Sequence, residues 1–411
     1  MKSCPSCRRL FAADAGFCPH DGGSLLGVDE VPVPPDPADP RVGSTLCGRW
    51  HIRRIVADGG MGRVYEALDL AQPERVAIKV LHPDIARDDV AVERFRREFE
   101  VSKLVPHAHI VEVKDFCDTG DGSSALVMEF LDGEELRTLL KRERHVSPAR
   151  LVRMLAQATQ GLDEAHRQKL VHRDLKPDNL FLCGTHDGDV VKVLDFGSVK
   201  DKSQAAKKLT MLGTTIGSPF YMSPEQAQGL ETLDARADVW SLAAIAYECL
   251  TGTVPFVGKN GPSILLAILT EDPVPPTEKG RGGPVPIAPA VDDVIESALA
   301  KNPALRPPTA GALADAFGHA YGLEGTHLDW AWVPEGELAR RIEKAMAAMP
   351  PAQARFDASR MDAAFADAPT SSDDRAMGLP SATPRWVLPA VVAAVVALVV
   401  AVVATVVARA H

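Results

Sequence analysis

No secretory leader is expected from this sequence of 411 residues. Its opening, MKSCPSCRRLF, holds no apolar run of the roughly 7–15 residues that export requires. A disulfide framework is missing as well: seven cysteines are an odd number, and Cys47, Cys117, Cys183 and Cys249 stand singly. Both lacks lead us to expect the bulk of the protein in a reducing cytoplasm. Excess basic charge is absent too, with 45 Lys and Arg against 55 Asp and Glu and a net charge of −10. That balance argues against a nucleic-acid-binding surface over the whole molecule, and aromatics are not interleaved with basic residues as single-strand binding asks. No nucleic-acid partner is expected, and no internal repeat is evident.

The last lack is local. From Val387 to Ala408 there is no charged residue, only Val, Ala, Leu, one Thr and Pro389. As a helix this run would extend roughly 33 Å, against a bilayer core of about 30 Å. We expect residues 387–408 to be a C-terminal membrane anchor without an outer sensor, leaving the preceding body at the cytoplasmic face of the cell membrane. Arg385 and Arg409 flank it on opposite sides, so charge alone does not orient it. Ala393, Ala397, Ala401, Ala404 and Ala408 form a stripe of small residues that would let two such helices approach in a homodimer.

What is present divides by composition. Residues 1–27 hold clustered cysteines and turn residues, and residues 28–43 begin with the proline-rich spacer VDEVPVPPDPADP. Residues 44–321 read as one folded body. Residues 322–385 read as a linker rich in Ala, Pro, Asp and Ser, with a short helix over 337–349. Within the body, WHIRRIV, GRVYEAL, RVAIKVL and SALVMEF predict strands, interrupted by a helix over 90–105. After Gly133 the pattern turns helical, as in PARLVRMLAQATQGLDEAHRQ. An α+β body of two lobes follows, small and β-rich then larger and helical, with a cleft between them suited to a ligand.

Three signals fall in that cleft. ADGGMGRVYEA at 57–67 puts Gly59, Gly60 and Gly62 in a turn between strands, where backbone N–H groups have access to phosphate oxygens. Hairpins use glycines too, so this turn alone decides little. VAIKV buries Lys79 in an apolar strand, where the amine needs a partner such as Glu98 on the helix FRREF, unless it snorkels from a strand edge. VHRDLKPDNLF at 171–181, followed by VLDFG at 193–197, brings together Asp174, Asn179 and, after a hairpin around 185–189, Asp195. Carboxylate and amide oxygens grouped in this way suit Mg²⁺.

Together these strings resemble the protein-kinase family over residues 44–321. The resemblance implies the two-lobed kinase fold and transfer of the γ-phosphoryl of ATP to Ser or Thr hydroxyls of protein substrates. It implies that Lys79, paired with Glu98, holds the α/β-phosphates, that Asp174 handles the acceptor hydroxyl, and that Asn179 and Asp195 bind Mg²⁺. The nucleotide site would comprise Ala57, Asp58, Gly59, Gly60, Met61, Gly62, Val64 and Ala77, with Met128 behind the adenine and Glu129, Phe130 and Leu131 as the hinge. Lys176 resembles the lysine that meets the γ-phosphate in Ser/Thr kinases, and Ser218 takes the place of the usual threonine near it. SPFYMSPEQ (218–226) resembles the end of the activation loop, with Glu225 expected to pair with Arg306 and Asp238 to support the HRD backbone. Arg173 resembles the arginine that receives an activation-loop phosphate, for which Thr210, Thr214 and Thr215 are candidates. The sequence departs from the family at Ala57, where the first loop glycine stands, and at Ala243, after DVWSL. The domain arrangement resembles that of bacterial Ser/Thr kinases.

Outside the body, Cys4, Cys7 and Cys18 occur in two knuckles that resemble a zinc ribbon, with Asp21 or His20 left to complete a tetrahedral Zn²⁺ site. Two other readings compete with an enzyme: a catalytically silent scaffold, and a nucleic-acid-binding ribbon with a secondary kinase.

Overall fold

The computed structural model describes residues 2–4, 7, 9–27, 39–72, 74–120, 122–196, 219–230 and 232–348. Thr210, Thr214, Thr215 and Ser218, residues 349–385 and the apolar run 387–408 lie outside them. The chain divides into two units, Met1–Phe365 and Ala366–His411, of which the second is wholly outside the described residues. Among the described residues no helix is long and apolar enough to cross a membrane.

The N-terminal module is a small antiparallel sheet. Strand β1 (Lys2–Ser3) lies between β2 (Leu10–Phe11) and β3 (Leu26–Gly27). The small lobe follows, with β4 (Thr45–Leu46), β5 (Trp50–Asp58), β6 (Gly62–Asp69), β7 (Glu74–Leu81), helix α1 (Asp89–Leu104), β8 (Val113–Asp118) and β9 (Ser124–Glu129). Its six strands are ordered β4-β5-β6-β7-β9-β8. Alternation along β7 sends Val76, Ile78 and Val80 into one core with Trp50, Ile52, Tyr65 and Val127. Ala77, Lys79 and Leu81 must therefore face the other way, and Leu81 packs with Phe95 of α1, Val113 and Leu126. That second packing seats α1 beside Lys79. The helix is started by Asp88, whose carboxylate accepts from Val90 N–H.

Cys47 and Cys117 are not isolated: the turn after β4 meets β8, and the two form a disulfide. The sequence expectation of single cysteines does not hold for this pair, because strands distant in sequence are neighbours in the fold.

The large lobe opens with β10 (Gly133–Glu135), α2 (Leu136–Glu143) and α3 (Pro148–Arg167). A hairpin follows, β11 (Leu180–Thr185) and β12 (Gly188–Val193), paired with β10. Next come α4 (Pro224–Ala227), α5 (Arg236–Thr251), α6 (Gly261–Thr270), α7 (Pro276–Lys279), α8 (Ala290–Ala298) and α9 (Ala310–Ala320). Helices α3 and α5 are buried along most of their length and form the centre of one core, α3 burying Arg153 and Gln157 along with its apolar residues. Ser147 caps α3, and Gly252, at φ 71°, ends α5 in a left-handed turn.

The packed body runs past residue 321. Helices α10 (His327–Trp330) and α11 (Glu335–Ala348) place Trp330, Ala331, Leu338 and Ile342 in the same core. Gln157 of α3 fastens them: its amide donates to Ala331 O at 2.8 Å and accepts from Val191 N–H at 2.7 Å.

Candidate active site

The cleft side of the small lobe carries the first group. In the antiparallel register Lys79 sits between Val64 and Leu126, and Ala77 between Glu66 and Met128. Lys79 Nζ donates to Asp195 Oδ1 at 2.9 Å and to Glu98 Oε2 at 3.5 Å. Burial disfavours the charge on Lys79, but Asp195 and then Glu98 outweigh it and hold the amine above its ordinary pKa. Burial also pushes Glu98 up, against the pull of Lys79. Asp195 goes the other way: burial would raise it, but Lys79 holds it below the usual carboxylate range. An ionised Asp195 beside a protonated Lys79 is thus the favoured state.

Asp195 reaches that place through the hairpin. Leu194 N–H donates to Asn179 O at 2.9 Å, and Asp195 takes φ 59°, a left-handed conformation uncommon for a residue with a side chain. Arg173, at φ 67°, is held in the same region. The loop around it is fixed by Asp238 of α5, fully buried, which accepts from His172 N–H at 2.8 Å and Arg173 N–H at 2.9 Å. Asp238 Oδ2 also lies 2.7 Å from His166 Nε2. Burial opposes ionisation of both, yet Asp163 and Asp238 raise His166 to about 9, and His166 lowers Asp238. Asp238, held ionised by His166, thus fastens the backbone of the loop at His172 and Arg173.

On that loop, Lys176 Nζ donates to Asp174 Oδ2 at 2.8 Å, and Asn179 Nδ2 donates to Asp174 O at 2.7 Å. Burial disfavours the Lys176 charge, and Asp174 more than restores it. With its amide N–H groups turned to the backbone, Asn179 has its oxygen as the remaining ligand atom. Arg306 donates to both oxygens of Glu225, at 2.7 and 2.8 Å, with both side chains buried.

The glycine-rich turn is tight, with Gly59 N–H donating to Gly62 O at 3.1 Å. Gly62 has no room for a side chain, because a Cβ there would lie 2.3 Å from Val80 O. Met61 is exposed. Ala57 stands opposite Val64 at the strand end. Three residues that sequence reading missed hold this turn. Arg63 donates to Asp58 Oδ2 at 2.5 and 2.8 Å, and His82 Nε2 lies 2.9 Å from Gly59 O and 3.0 Å from Asp58 Oδ1. Asp39 then accepts from Arg63 at 2.6 Å and from Tyr65 Oη at 2.5 Å. No local pattern announces such pairs. Gly133 was also missed; a Cβ would meet Leu182 O at 1.9 Å, so it permits β10 to lie on β11 just after the hinge. The hinge is tied by Glu129, which accepts from Glu112 N–H and from Lys192 at 2.6 Å, while Arg75 lies over Phe130 at 4.0 Å.

The described residues therefore converge from both lobes on a strip of oxygen ligands and cations. That donor set fits Mg²⁺ and a nucleoside triphosphate: a carboxylate and an amide oxygen for a hard cation, and lysines with backbone N–H groups for phosphates. In the N-terminal module, one ligand atom each from Cys4, Cys7, Cys18 and Asp21 lies within 4.8 Å of the others. His20 instead meets Arg9, outside that group.

Residues 50–318 match the family model described as protein kinase domain. Among curated relatives, serine/threonine-protein kinase pkn3 of Myxococcus xanthus is 37% identical over 277 residues, covering 67% of this chain and 50% of that one. Serine/threonine-protein kinase PknA of Mycobacterium tuberculosis is 39% identical over 281 residues, covering 67% and 62%. This chain thus spans between half and under two thirds of those relatives' length. The crystal structure of the Mycobacterium tuberculosis PknI kinase domain is similar with a TM-score of 0.53 at 28% identity, covering 69% of this chain and 99% of that one.

Proposed function

Because the chain belongs to the protein kinase domain family, we propose that it is a serine/threonine protein kinase, moving the γ-phosphoryl of ATP to protein hydroxyls. The observation that carries this reading is the link across the cleft from Lys79 to Asp195, through the backbone of the adjoining Leu194 to Asn179, and on to Asp174. Asn179 and Asp195 would hold Mg²⁺, and Lys79, positioned by Glu98, would hold the α/β-phosphates above the turn of Gly59, Gly60 and Gly62. Bound Mg²⁺ would supply positive charge against the phosphate oxygens. Asp174 receives the proton of the acceptor hydroxyl or orients it, and Lys176, bonded to Asp174, faces the transferred group. Met128 and the hinge Glu129–Leu131 would bound the adenine. Lys176, with Ser218, favours Ser and Thr acceptors over Tyr. Transfer of labelled phosphate from Mg-ATP to a protein acceptor tests the reading, with Asp174→Asn expected to lower kcat by roughly 10²–10⁴-fold. Absence of transfer by the wild type excludes it, and the scaffold reading then stands; equal transfer by both proteins overturns the role given to Asp174.

Three finer readings belong with it. Autophosphorylation at Thr210, Thr214 or Thr215 is supported by Arg173, whose half-buried guanidinium keeps an Nε without a hydrogen-bond partner among the described residues. Mass spectrometry after incubation with Mg-ATP tests it. Anchoring through residues 387–408 is supported by the uncharged run, and pairing of two chains by the alanine stripe. Zn²⁺ binding by Cys4, Cys7, Cys18 and Asp21 is supported by their convergence and by a donor set of three thiolates and a carboxylate.

A further inference from the structure

The small lobe contains an oddly placed cation. Register between β5 and β6 passes from Ile52 opposite Ala67 to Arg54 opposite Glu66, so Arg53 is the extra residue of a β-bulge. Bulges re-aim a side chain, and this one leaves Arg53 only 1% exposed. A guanidinium so placed needs polar company. Its Nη2 donates to Ser3 Oγ at 3.0 Å, and Ser3 is itself fully buried. Ser3 is in the central strand of the N-terminal module, opposite Leu10 and Leu26, and is followed by Cys4.

That module has little of its own to hold it. Its buried core is Cys4, Cys18 and Leu25, with Cys7, Phe11 and Ala15 packed around. A core of this size does not sustain a fold without a cross-link or metal. The position of Ser3 consequently depends on what joins Cys4, Cys7, Cys18 and Asp21. A second foothold lies where the chain arrives at Asp39, which is 2% exposed and bonded to Arg63 and Tyr65 of β6. Arg63 continues to Asp58 at the glycine-rich turn. The two footholds are on adjacent strands, and those strands are the ones that the turn joins.

We propose that the N-terminal module is a metal-loaded clamp docked in cis on β5 through Arg53, so that metal occupancy sets the order of the strand entering the glycine-rich turn. Zinc is the metal that fits, and its binding would release the protons of the three thiols. The proposal rests on the metal reading above and is independent of phosphotransfer.

The full chain is measured for bound zinc and for hydrogen exchange over residues 50–58. Wild type should bind zinc and protect this segment. A chelator, or Cys4→Ser, should remove the metal and speed exchange there. Ser3→Ala should retain zinc yet speed exchange over the same residues by about tenfold, the loss of one hydrogen bond to a charged group. Absence of zinc from wild type overturns the proposal, as does unchanged exchange in Ser3→Ala or after metal removal. Neither measurement reads kinase activity, so a failure of that function is seen separately in the phosphate-transfer assay.

Discussion

Lys79 stands closer to Asp195 than to Glu98, at 2.9 Å against 3.5 Å, so one ammonium group bridges two carboxylates supplied by different lobes. Removing it leaves those carboxylates facing each other in a partly dry cleft. Lys79→Met is expected to lower kcat by roughly 10²–10³-fold and raise the KM for ATP. Glu98→Gln keeps a hydrogen-bond acceptor and should cost less than about tenfold. Steady-state kinetics over a range of ATP concentrations reads both, and a larger loss in Glu98→Gln would contradict the arrangement.

The ion pair under the catalytic loop sets a pH dependence. His166 is raised to about 9, so its contribution to stability is full below the ordinary histidine range and disappears as pH rises through about 9. Asp238 is lowered, so its contribution persists above the ordinary carboxylate range and is lost as pH falls through its depressed value. The melting temperature should fall between about pH 6.5 and 9 in the wild type, and His166→Phe should flatten that decline. A wild-type curve level through about pH 10 would refute the charged pair.

Arg306 and Glu225 make a buried bidentate pair, and Arg306 also donates to Ala300 O at 2.8 Å and Arg236 O at 3.0 Å. Arg306→Met strands a buried carboxylate, for an expected loss of about 3–5 kcal/mol in urea unfolding. Glu225→Gln preserves acceptors and should lose less.

The Cys47–Cys117 disulfide joins positions 70 residues apart. Reduction should destabilise the chain by about 2–4 kcal/mol. Cys47→Ala should match the reduced protein and ignore added reductant. Denaturation with and without dithiothreitol makes the comparison.

The centre of the site was legible because its chemistry leaves little choice of residue. Lys79 in an apolar strand, Asp174 and Asn179 five apart, and Asp195 after a hairpin announce themselves. Glu98 was found as an acid on a helix beside that lysine. The supports were not legible. Arg63, His82 and Asp39 act through pairings between separate strands, and each residue type is ordinary on a surface. Residues 322–385 read as linker because Ala, Pro, Asp and Ser dominate their composition, and the helix expected over 337–349 was not seen as part of the packed body. Leu338 and Ile342, four apart on α11, were the available sign that one face is apolar. At the N-terminus, composition left His20 and Asp21 equal, and only the path of the chain puts Asp21 among the cysteines.

The way α10 and α11 close over α3 bears on how this protein should be cut for laboratory work. A fragment ending at the family boundary near residue 318 would strip Trp330, Leu338 and Ile342 from the core and deprive Gln157 of Ala331 O. Gln157 also grips Val191 in the strand that delivers Asp195, so the damage would extend toward Asp195 and its contact with Lys79. A recombinant piece meant for assay should therefore retain residues through 348. Poor yield or weak turnover from a shorter one would describe the truncation rather than the enzyme.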